Sequence, residues 1–388
     1  MAISTVNYEV LDAAKGRFIA ASKRTLEFAS EWGSVTNPNL GASANLFALD
    51  LTPWLARGAS QLSLSLVPEG LGTADDARPS DLTRAELTEF WFQIGVKAVG
   101  VMTNDAASGG LQTLAIGLYL PSSEPEVVFS EEFLKGFLDG FVHGCQKVGC
   151  VYLSGETPQL KSKMLPGKLD IAGALVALAL PDRVALNPRG VAAGDFIVFV
   201  ESSGPHENGF TTLRALAETL PQGYRTLIDD NAAEDAPKIE FWRAINTGSK
   251  LYTPFVQAVL KAGISPTSLE NITGHGWQKI MRSAAALRYE ITNPLPLPPL
   301  FKFLERELKL ERARLLTLFN CGAGFAVFLD SEEAALQTVK IAAKFGLHAQ
   351  VVGQVHRANA SSDKISGRSV HVPAWNVILD GEEFALKK

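Results

Sequence analysis

Between Ser130 and Leu153 the chain carries the pattern that most restricts its fold. Phe133, Phe137, Phe141 and Cys145 recur at four-residue spacing, with Leu134 and Leu138 beside them, which is the apolar face of a helix. Ser130 suits the N-cap, and Glu131 and Glu132 suit the positive end of the helix dipole. CVYL follows, a short apolar run that reads as a buried strand. A helical period passing so quickly into a strand puts the chain in a mixed class. The alternation continues upstream. QLSLSLV (61–67) alternates as a half-buried strand does. Ser80 or Asp81 can cap the helical stretch TRAELTEFWFQIGVKAVGVM, and LQTLAIGLYL (111–120) reads as a strand after Gly109 and Gly110.

LNPRGVAAGD (186–195) has the small residues and turn chemistry of a domain junction before the strand FIVFV. Beyond it come a helix over 212–219, a polar acidic loop over 222–238 and a helix near 251–262. TNPLPLPP (292–299) is an extended connector, and FAVFLD (325–330) and QVVGQV (350–355) are strands. Between those strands, Asp330 and Glu333 resemble a capping box, and Gly346 ends the helix. The expectation is an α+β fold of two mixed α/β domains, residues 1–184 and 185–388.

Composition narrows the functions. The 388 residues, 46% hydrophobic and 20% charged, suit two globular domains. A net charge of -5 and the lack of a long basic block argue against nucleic acid as a partner. Cys145, Cys150 and Cys321 are too few for a disulfide framework and have too few partners for a zinc site, so buried free thiols are expected. The start of the chain lacks a signal-peptide pattern and no apolar run reaches membrane-spanning length, so a cytoplasmic protein without a membrane partner is expected.

Six segments read as small polar or glycine-rich loops: EGLGT (69–73), TND (103–105), SGETP (154–158), SSGPHENG (202–209), NITGHGW (271–277) and FNCGAGF (319–325). Glycine lets backbone N–H groups approach a phosphate and permits positive φ. A nearby carboxylate can hold Mg2+ on that phosphate. Each loop also has a plainer reading. Gly204-Pro205 either turns His206 and Asn208 toward a ligand or leaves them bonding local backbone. Asp105 is either a metal ligand or a helix-end aspartate bonded to nearby amides. Glu156 is a site carboxylate or a solvated turn residue, and Asn320 a site residue or the tight start of a strand.

GVKAVGVMTNDAASGG, YLSGETP, GDFIVFVESSGPHENGFTTLR, NITGHGWQKIMR and FNCGAGFAVF stand in the order found in aminoimidazole ribonucleotide (AIR) synthetase, the phosphoribosylformylglycinamidine cyclo-ligase family. GASANLF (41–47) resembles the segment preceding that family's glycine loop. The resemblance runs from about residue 8 to about residue 356. It implies ATP-dependent ring closure of formylglycinamidine ribonucleotide, with Mg2+ and with K+ as a candidate monovalent cation. It also implies a homodimer formed by pairing N-terminal sheets, and a cleft between the domains that His206 and Asn208 face.

By the same resemblance, His206, Asn208 and Asp105 are the catalytic candidates, and Asp105 with Glu69 the metal candidates. Glu69, Gly70, Gly72, Thr73 and Asn104 would bind the nucleotide, as would Glu156 and Thr157 of the loop matching GGET. Asn320, Gly322 and Gly324 belong to the same group. Ser203, Lys250, Asn271, Thr273 and His275 are the substrate candidates.

Three departures stand out. Ala74 replaces the lysine of Asp-Gly-Val-Gly-Thr-Lys, with Arg78 a possible substitute cation; NITGHGW replaces His-Ile-Thr-Gly-Gly-Gly; Lys250 replaces an arginine. Two alternatives follow: another ATP-dependent phosphoryl-transfer enzyme of the superfamily, or a catalytically weak nucleotide-binding paralogue. Selenophosphate synthesis is disfavoured because no cysteine precedes Cys145.

Overall fold

A computed structural model describes residues 6–37, 40, 42, 44–228, 238–283, 285–358 and 367–381. The chain forms two compact units. The first comprises Met1–Ala106 and Leu111–Pro181, the second Ala107–Gly110 and Asp182–Lys388. The α+β class expected from the sequence is the class observed.

The first unit contains α1 (Tyr8–Lys23), β1 (Gly33–Val35), β2 (Phe47–Leu49), α2 (Thr52–Leu55), β3 (Leu64–Gly70), most of α3 (Arg84–Ser108), β4 (Gln112–Tyr119), α4 (Pro125–Val128), α5 (Glu131–Val148), β5 (Val151–Glu156) and β6 (Ala172–Leu178). Its sheet has the order β3-β6-β4-β5, with only the β4–β5 pair parallel. Ser130 caps α5 by accepting from the Phe133 N–H at 3.2 Å, and Gly149, at φ 77°, closes the helix in the left-handed region. Phe133, Phe137 and Phe141 are fully buried and stack in sequence, 5.1 and 6.0 Å between centroids.

Small residues let α5 approach α3 closely. A Cβ on Gly140 would lie 2.0 Å from the Phe92 carbonyl oxygen, and one on Gly95 2.3 Å from that of Phe137. Because backbone meets backbone here, Gly140→Ala is expected to cost about 2–3 kcal/mol by overpacking. Urea denaturation should show a lower midpoint with unchanged slope. A midpoint equal to that of the native chain would show that the helices can part at no cost.

The outer face of this sheet is covered at one end by Trp32 and Trp54, whose rings meet edge-on and pack with Leu178. Toward the other end Leu66, Tyr119 and Val176 stay exposed. Leu66 lies opposite Val176, so the two share one face.

Three loop expectations change in this unit. Thr103, Asn104 and Asp105 lie inside α3 rather than in a loop. Thr103 Oγ donates to the Val99 carbonyl at 2.9 Å, so the hydroxyl is satisfied without breaking the helix. Ser154, Gly155 and Glu156 continue β5, paired with Gly117, Leu118 and Tyr119. Glu69 and Gly70 end β3 opposite Gly173 and Ala172.

The second unit contains β7 (Phe196–Glu201), α6 (Phe210–Thr219), β8 (Leu227–Ile228), β9 (Ile239–Glu240), α7 (Phe241–Asn246), α8 (Thr253–Lys261), β10 (Ser268–Asn271), β11 (Leu287–Ile291), α9 (Pro299–Glu307), α10 (Arg312–Leu318), β12 (Ala323–Leu329), α11 (Glu332–Lys344), β13 (Ala349–Arg357), β14 (Ser369–Val372) and β15 (Val377–Asp380). Its main sheet runs β10-β12-β7-β13-β11-β14-β15. The centre is apolar because β12 is buried along its whole length. Ser331, not Asp330, caps α11, accepting from the Ala334 N–H at 3.3 Å. Gly346 follows that helix at φ 66°. Residues 229–237 of the acidic loop, and Gly41 and Ser43 of GASANLF, lie outside the described residues.

All three cysteines are buried and unpaired with one another as disulfides, and burial pushes the Cys145 and Cys321 thiols up. Among the described residues no helix is long and apolar enough to cross a membrane.

Candidate functional site

In the second unit the loops 202–209, 248–250, 271–276 and 319–324 meet, and Asn320 ties two of them to each other and to Trp277. Its Oδ1 accepts from Ser202 Oγ at 2.9 Å and from the Gly322 N–H at 3.1 Å. Its Nδ2 donates to the Gly204 carbonyl at 2.9 Å. Its own carbonyl accepts from Trp277 Nε1 at 2.8 Å. The side chain is therefore engaged at both ends, and Asn320 acts here as a clamp between the loops 202–204 and 320–322.

The glycines serve the same packing. A Cβ on Gly324 would fall 2.0 Å from Tyr252 Oη and 2.9 Å from His206 Cε1. Gly209, at φ 78°, leaves room for the Phe319 ring, which would lie 2.2 Å from an added Cβ.

His206 was expected to face a cleft. It is instead buried, 1% exposed, with φ at 54°. Its Nε2 accepts from the Ser203 N–H at 3.3 Å and the Lys250 N–H at 3.4 Å. The imidazole thus fastens two loops whose residues are far apart in sequence. Ser203 adds a third tie, its Oγ donating to the Gly248 carbonyl at 2.6 Å.

The more accessible polar groups are different ones. Asn208 is half-buried, with Oδ1 beside Gly274, and Thr273 is half-buried next to it. His275 is exposed at φ 72°, where it opens a short 3-10 turn, Gly276–Met281. Lys250 Nζ pairs with Glu201 at 2.9 Å, both side chains about a third exposed. Glu207 accepts a hydrogen bond from Ser249 Oγ. Asn271 ends β10 and is buried. This rim offers hydroxyl, amide, ammonium and imidazole groups to a polar ligand.

The first unit holds the other candidates in two places. Glu69 lines a narrow crevice with Ala98, Val101, Met102 and Gly173. Asp105 follows Val101 by four residues and Met102 by three, so it lies on the same side of α3. Asn104 is buried beside it, 1% exposed. Gly72, at φ 61°, and Thr73 lead into a short 3-10 turn, Ala74–Asp76, in which Ala74 is fully buried. The Arg78 guanidinium donates to the Asp75 carbonyl and lies over the rings of Phe90 and Trp91, at 5.0 and 4.8 Å. Lys168 Nζ pairs with Asp76 of this turn at 2.6 Å.

The second place is a cavity of about 470 Å3 where Glu156 and Thr157 meet α1, Leu40, Ala42 and Asn45. The Thr157 N–H donates to Glu156 Oε1 at 3.0 Å, and Asn45 Nδ2 donates to the Leu153 carbonyl at 2.9 Å. Lys15 and Asn45 were not singled out from the sequence; the only signal was that Asn45 falls within GASANLF. Among the described residues no three His, Cys, Asp or Glu side chains gather as a metal centre.

Residues 79–179 match the family model described as AIR synthase related protein, N-terminal domain. Phosphoribosylformylglycinamidine cyclo-ligase of Prochlorococcus marinus subsp. pastoris is 25% identical over 357 residues, covering 91% of this chain and 95% of that protein. The protein of that name from Methanocaldococcus jannaschii is 28% identical over 302 residues, covering 76% and 81%. Among solved structures, the hydrogenase maturation protein HypE of E. coli superposes with a TM-score of 0.60 at 18% identity, covering 95% of this chain and 97% of that one. HypE in complex with ATP gives 0.58 at 17% identity, covering 89% and 91%. Thiamine-monophosphate kinase from Stenotrophomonas maltophilia K279a gives 0.57 at 15% identity, covering 97% and 99%. The fold is thus the one shared by this group of proteins, and the N-terminal unit carries an AIR-synthase-related domain. More particularly, the chain is similar along most of its length to phosphoribosylformylglycinamidine cyclo-ligases, at 25 and 28% identity.

Proposed function

We propose that this protein uses ATP to close the imidazole ring of formylglycinamidine ribonucleotide, giving aminoimidazole ribonucleotide in de novo purine synthesis in the cytoplasm. The observation that carries the reading is the likeness to cyclo-ligases along nearly the whole chain, through both units. ATP as the phosphoryl donor agrees with the fold shared with ATP-bound HypE. In this reaction ATP phosphorylates the formyl amide oxygen, the amidine nitrogen attacks the same carbon, and phosphate leaves with that oxygen. An amide oxygen leaves poorly until it is phosphorylated, and the transfer itself mainly needs positioning and charge neutralisation.

The residues present fit MgATP. Mg2+ takes one or two carboxylates together with phosphate oxygens rather than a cage of protein ligands. Glu69 and Asp105, set on one side of the first unit, supply such carboxylates. Bound there, Mg2+ would neutralise charge on the transferring phosphoryl group. Glu156 and Thr157 serve the nucleotide through the cavity they line. In the second unit Asn208 and Thr273 orient the substrate, and Lys250 neutralises part of its phosphate. At this rim His275 carries the exposed imidazole, so it, rather than the buried His206, is placed to meet the substrate. The protein acts as a homodimer, with the exposed Leu66 and Val176 face of the N-terminal sheet covered by its copy.

The test is an assay with formylglycinamidine ribonucleotide, MgATP and potassium that follows ADP and the aromatic amine product together. Both are expected from the native chain. Asp105→Ala is expected to lower turnover by about 10²-fold or more, the scale of losing a group that stabilises transition-state charge. Asn208→Ala serves as the substrate-side control. His206→Ala is a poor control, because it also releases the Ser203 and Lys250 amides. MgATP binding without product would sink the cyclo-ligase reading. It would turn the assignment to phosphoryl transfer onto another acceptor or to a nucleotide-binding paralogue.

A further inference from the structure

β15 ends the seven-stranded sheet of the second unit, with β14 on one side and no other strand of the described residues on the other. The register decides which groups face that open side. One step beyond the Ser369–Asp380 pair, the Gly381 N–H donates to the Arg368 carbonyl at 3.1 Å. Opposed residues in an antiparallel ladder alternate between bonded and unbonded pairs. Leu379 and Val377 therefore bond to Val370 and Val372, while Ile378 and Asp380 turn their N–H and carbonyl groups away from β14. The Asp380 carbonyl accepts from Gln278 Nε2 at 2.8 Å, which agrees with that direction. Ile378 presents both of its backbone groups on the open side.

Nothing in β15 blunts this edge. Its four residues, VILD, include no lysine, proline or bulge, the usual guards against pairing with another chain. Val377 and Leu379 are buried, whereas Ile378 is 63% exposed. A groove of about 420 Å3 runs beside the strand, with Glu311, at the N-cap of α10, and Arg314 and Thr317, within it, on the far wall. Glu311 and Arg314 are exposed and stand three residues apart, about one helical turn. Arg314 Nη1 donates to Thr317 Oγ at 3.4 Å, and among the described residues neither Arg314 nor Glu311 has an ion-pair partner.

We propose that β15 pairs antiparallel with β15 of a second copy of this chain, across a two-fold axis at Ile378. A second copy fits because the patch is complementary to itself, as such a contact requires. Ile378 exchanges two backbone bonds with Ile378 of the copy, and the two exposed side chains meet on one face of the joined sheet. The axis sets the two α10 helices antiparallel on the same side, which brings Glu311 toward Arg314 of the copy and Arg314 toward its Glu311. A patch of one sign would repel its own copy, whereas this one carries both. The seam is four residues long on each side, so the association is weak and depends on concentration. It is separate from the pairing of N-terminal sheets and does not rest on the reaction proposed above.

Sedimentation equilibrium of the full chain over a concentration series tests this. Leu66→Glu is the background, because it puts a charge on the N-terminal face and leaves the second unit alone. The mass of this chain is expected to double as concentration rises. Adding Ile378→Pro removes an N–H that faces away from β14, which an edge strand tolerates. The association should weaken about tenfold or more, the scale of two lost hydrogen bonds across the seam. Adding Arg314→Glu instead should weaken it several-fold, and Arg314→Glu with Glu311→Arg should restore it. Both positions are exposed, so the charge variants decide the matter even where the proline variant fails to fold. A background chain that keeps one mass at every concentration would overturn the self-pairing and leave the edge to a strand of another protein. Equal association with and without Ile378→Pro would overturn the seam at β15. A charge exchange that fails to restore association would overturn the placing of Glu311 against Arg314 of the copy.

Discussion

Replacing Asn320 with leucine is expected to destabilise the second unit by about 3–5 kcal/mol, because it leaves buried backbone groups without partners. The two side chains are similar in size, so the loss is one of hydrogen bonds rather than volume. The Gly204 carbonyl loses its Nδ2 donor, and the Gly322 N–H loses its Oδ1 acceptor. Both residues are buried, so water does not readily replace the amide. Ser202 Oγ loses an acceptor too, at smaller cost because it is only half-buried. Asn320→Asp should fall between, since it retains an acceptor for Ser202 and Gly322 but sets an oxygen against the Gly204 carbonyl. Urea denaturation of the three proteins at one pH gives the comparison. A leucine variant within about 1 kcal/mol of the native chain, the worth of a single ordinary hydrogen bond, would mean that Asn320 is not a clamp.

This clamp shows what the motifs report. SSGPHxNG and FNxGxGF are separated by more than a hundred residues, yet Asn320 joins them directly. Glycines at 209 and 324 are required because a ring and two side chains occupy the space a Cβ would need. The most recognisable pieces of the sequence are therefore those that build the loops. The groups proposed to meet a ligand are Asn208, which stands inside the first of these motifs, and Thr273 and His275 outside them.

The regular elements were legible because their signals are local. The period of Phe133, Phe137 and Phe141, the cap at Ser130 and the apolar run at FIVFV each concern a few neighbouring residues, and each appears in the structure. Structure and expectation part where polar residues continue a regular element. Thr103 sits in a helix because its hydroxyl bonds to the carbonyl one turn back. Ser154 to Glu156 stay in a strand because β4 pairs with them. The orientation of His206 was beyond local reasoning, since one of its two donors comes from Lys250. The cavity beside β5 was equally hidden, as its walls come from α1, from Leu40, Ala42 and Asn45, and from β5.

Asp75 should make the chain less stable as pH rises from 3.8 to about 7, and Asp75→Asn should remove most of that dependence. The carboxyl follows the glycine turn of the first unit and is 5% exposed. Burial, then the neighbouring Asp76 carboxylate, pushes it from the ordinary 3.8 up to about 7, and Arg78 only partly offsets them. The folded chain therefore holds this proton more tightly than the unfolded chain does. Below pH 3.8 both states are protonated and the group imposes no charge-burial cost. Between 3.8 and about 7 the unfolded chain gives up the proton first, so stability falls as pH rises. Above about 7 both states are ionised and the loss is complete. At roughly 1.4 kcal/mol per pH unit, the whole change is on the order of 4 kcal/mol. Asparagine has nearly the same shape and no charge to bury, so the variant should match the native chain most closely at low pH and exceed it by several kcal/mol at pH 8, on the order of the full linkage term. Urea midpoints for both proteins at pH 5, 6, 7 and 8 separate this group from every other that titrates, because only the difference between the two curves belongs to Asp75. Parallel curves would show that the carboxyl is already ionised at pH 5 and that water or a cation reaches it in the folded chain.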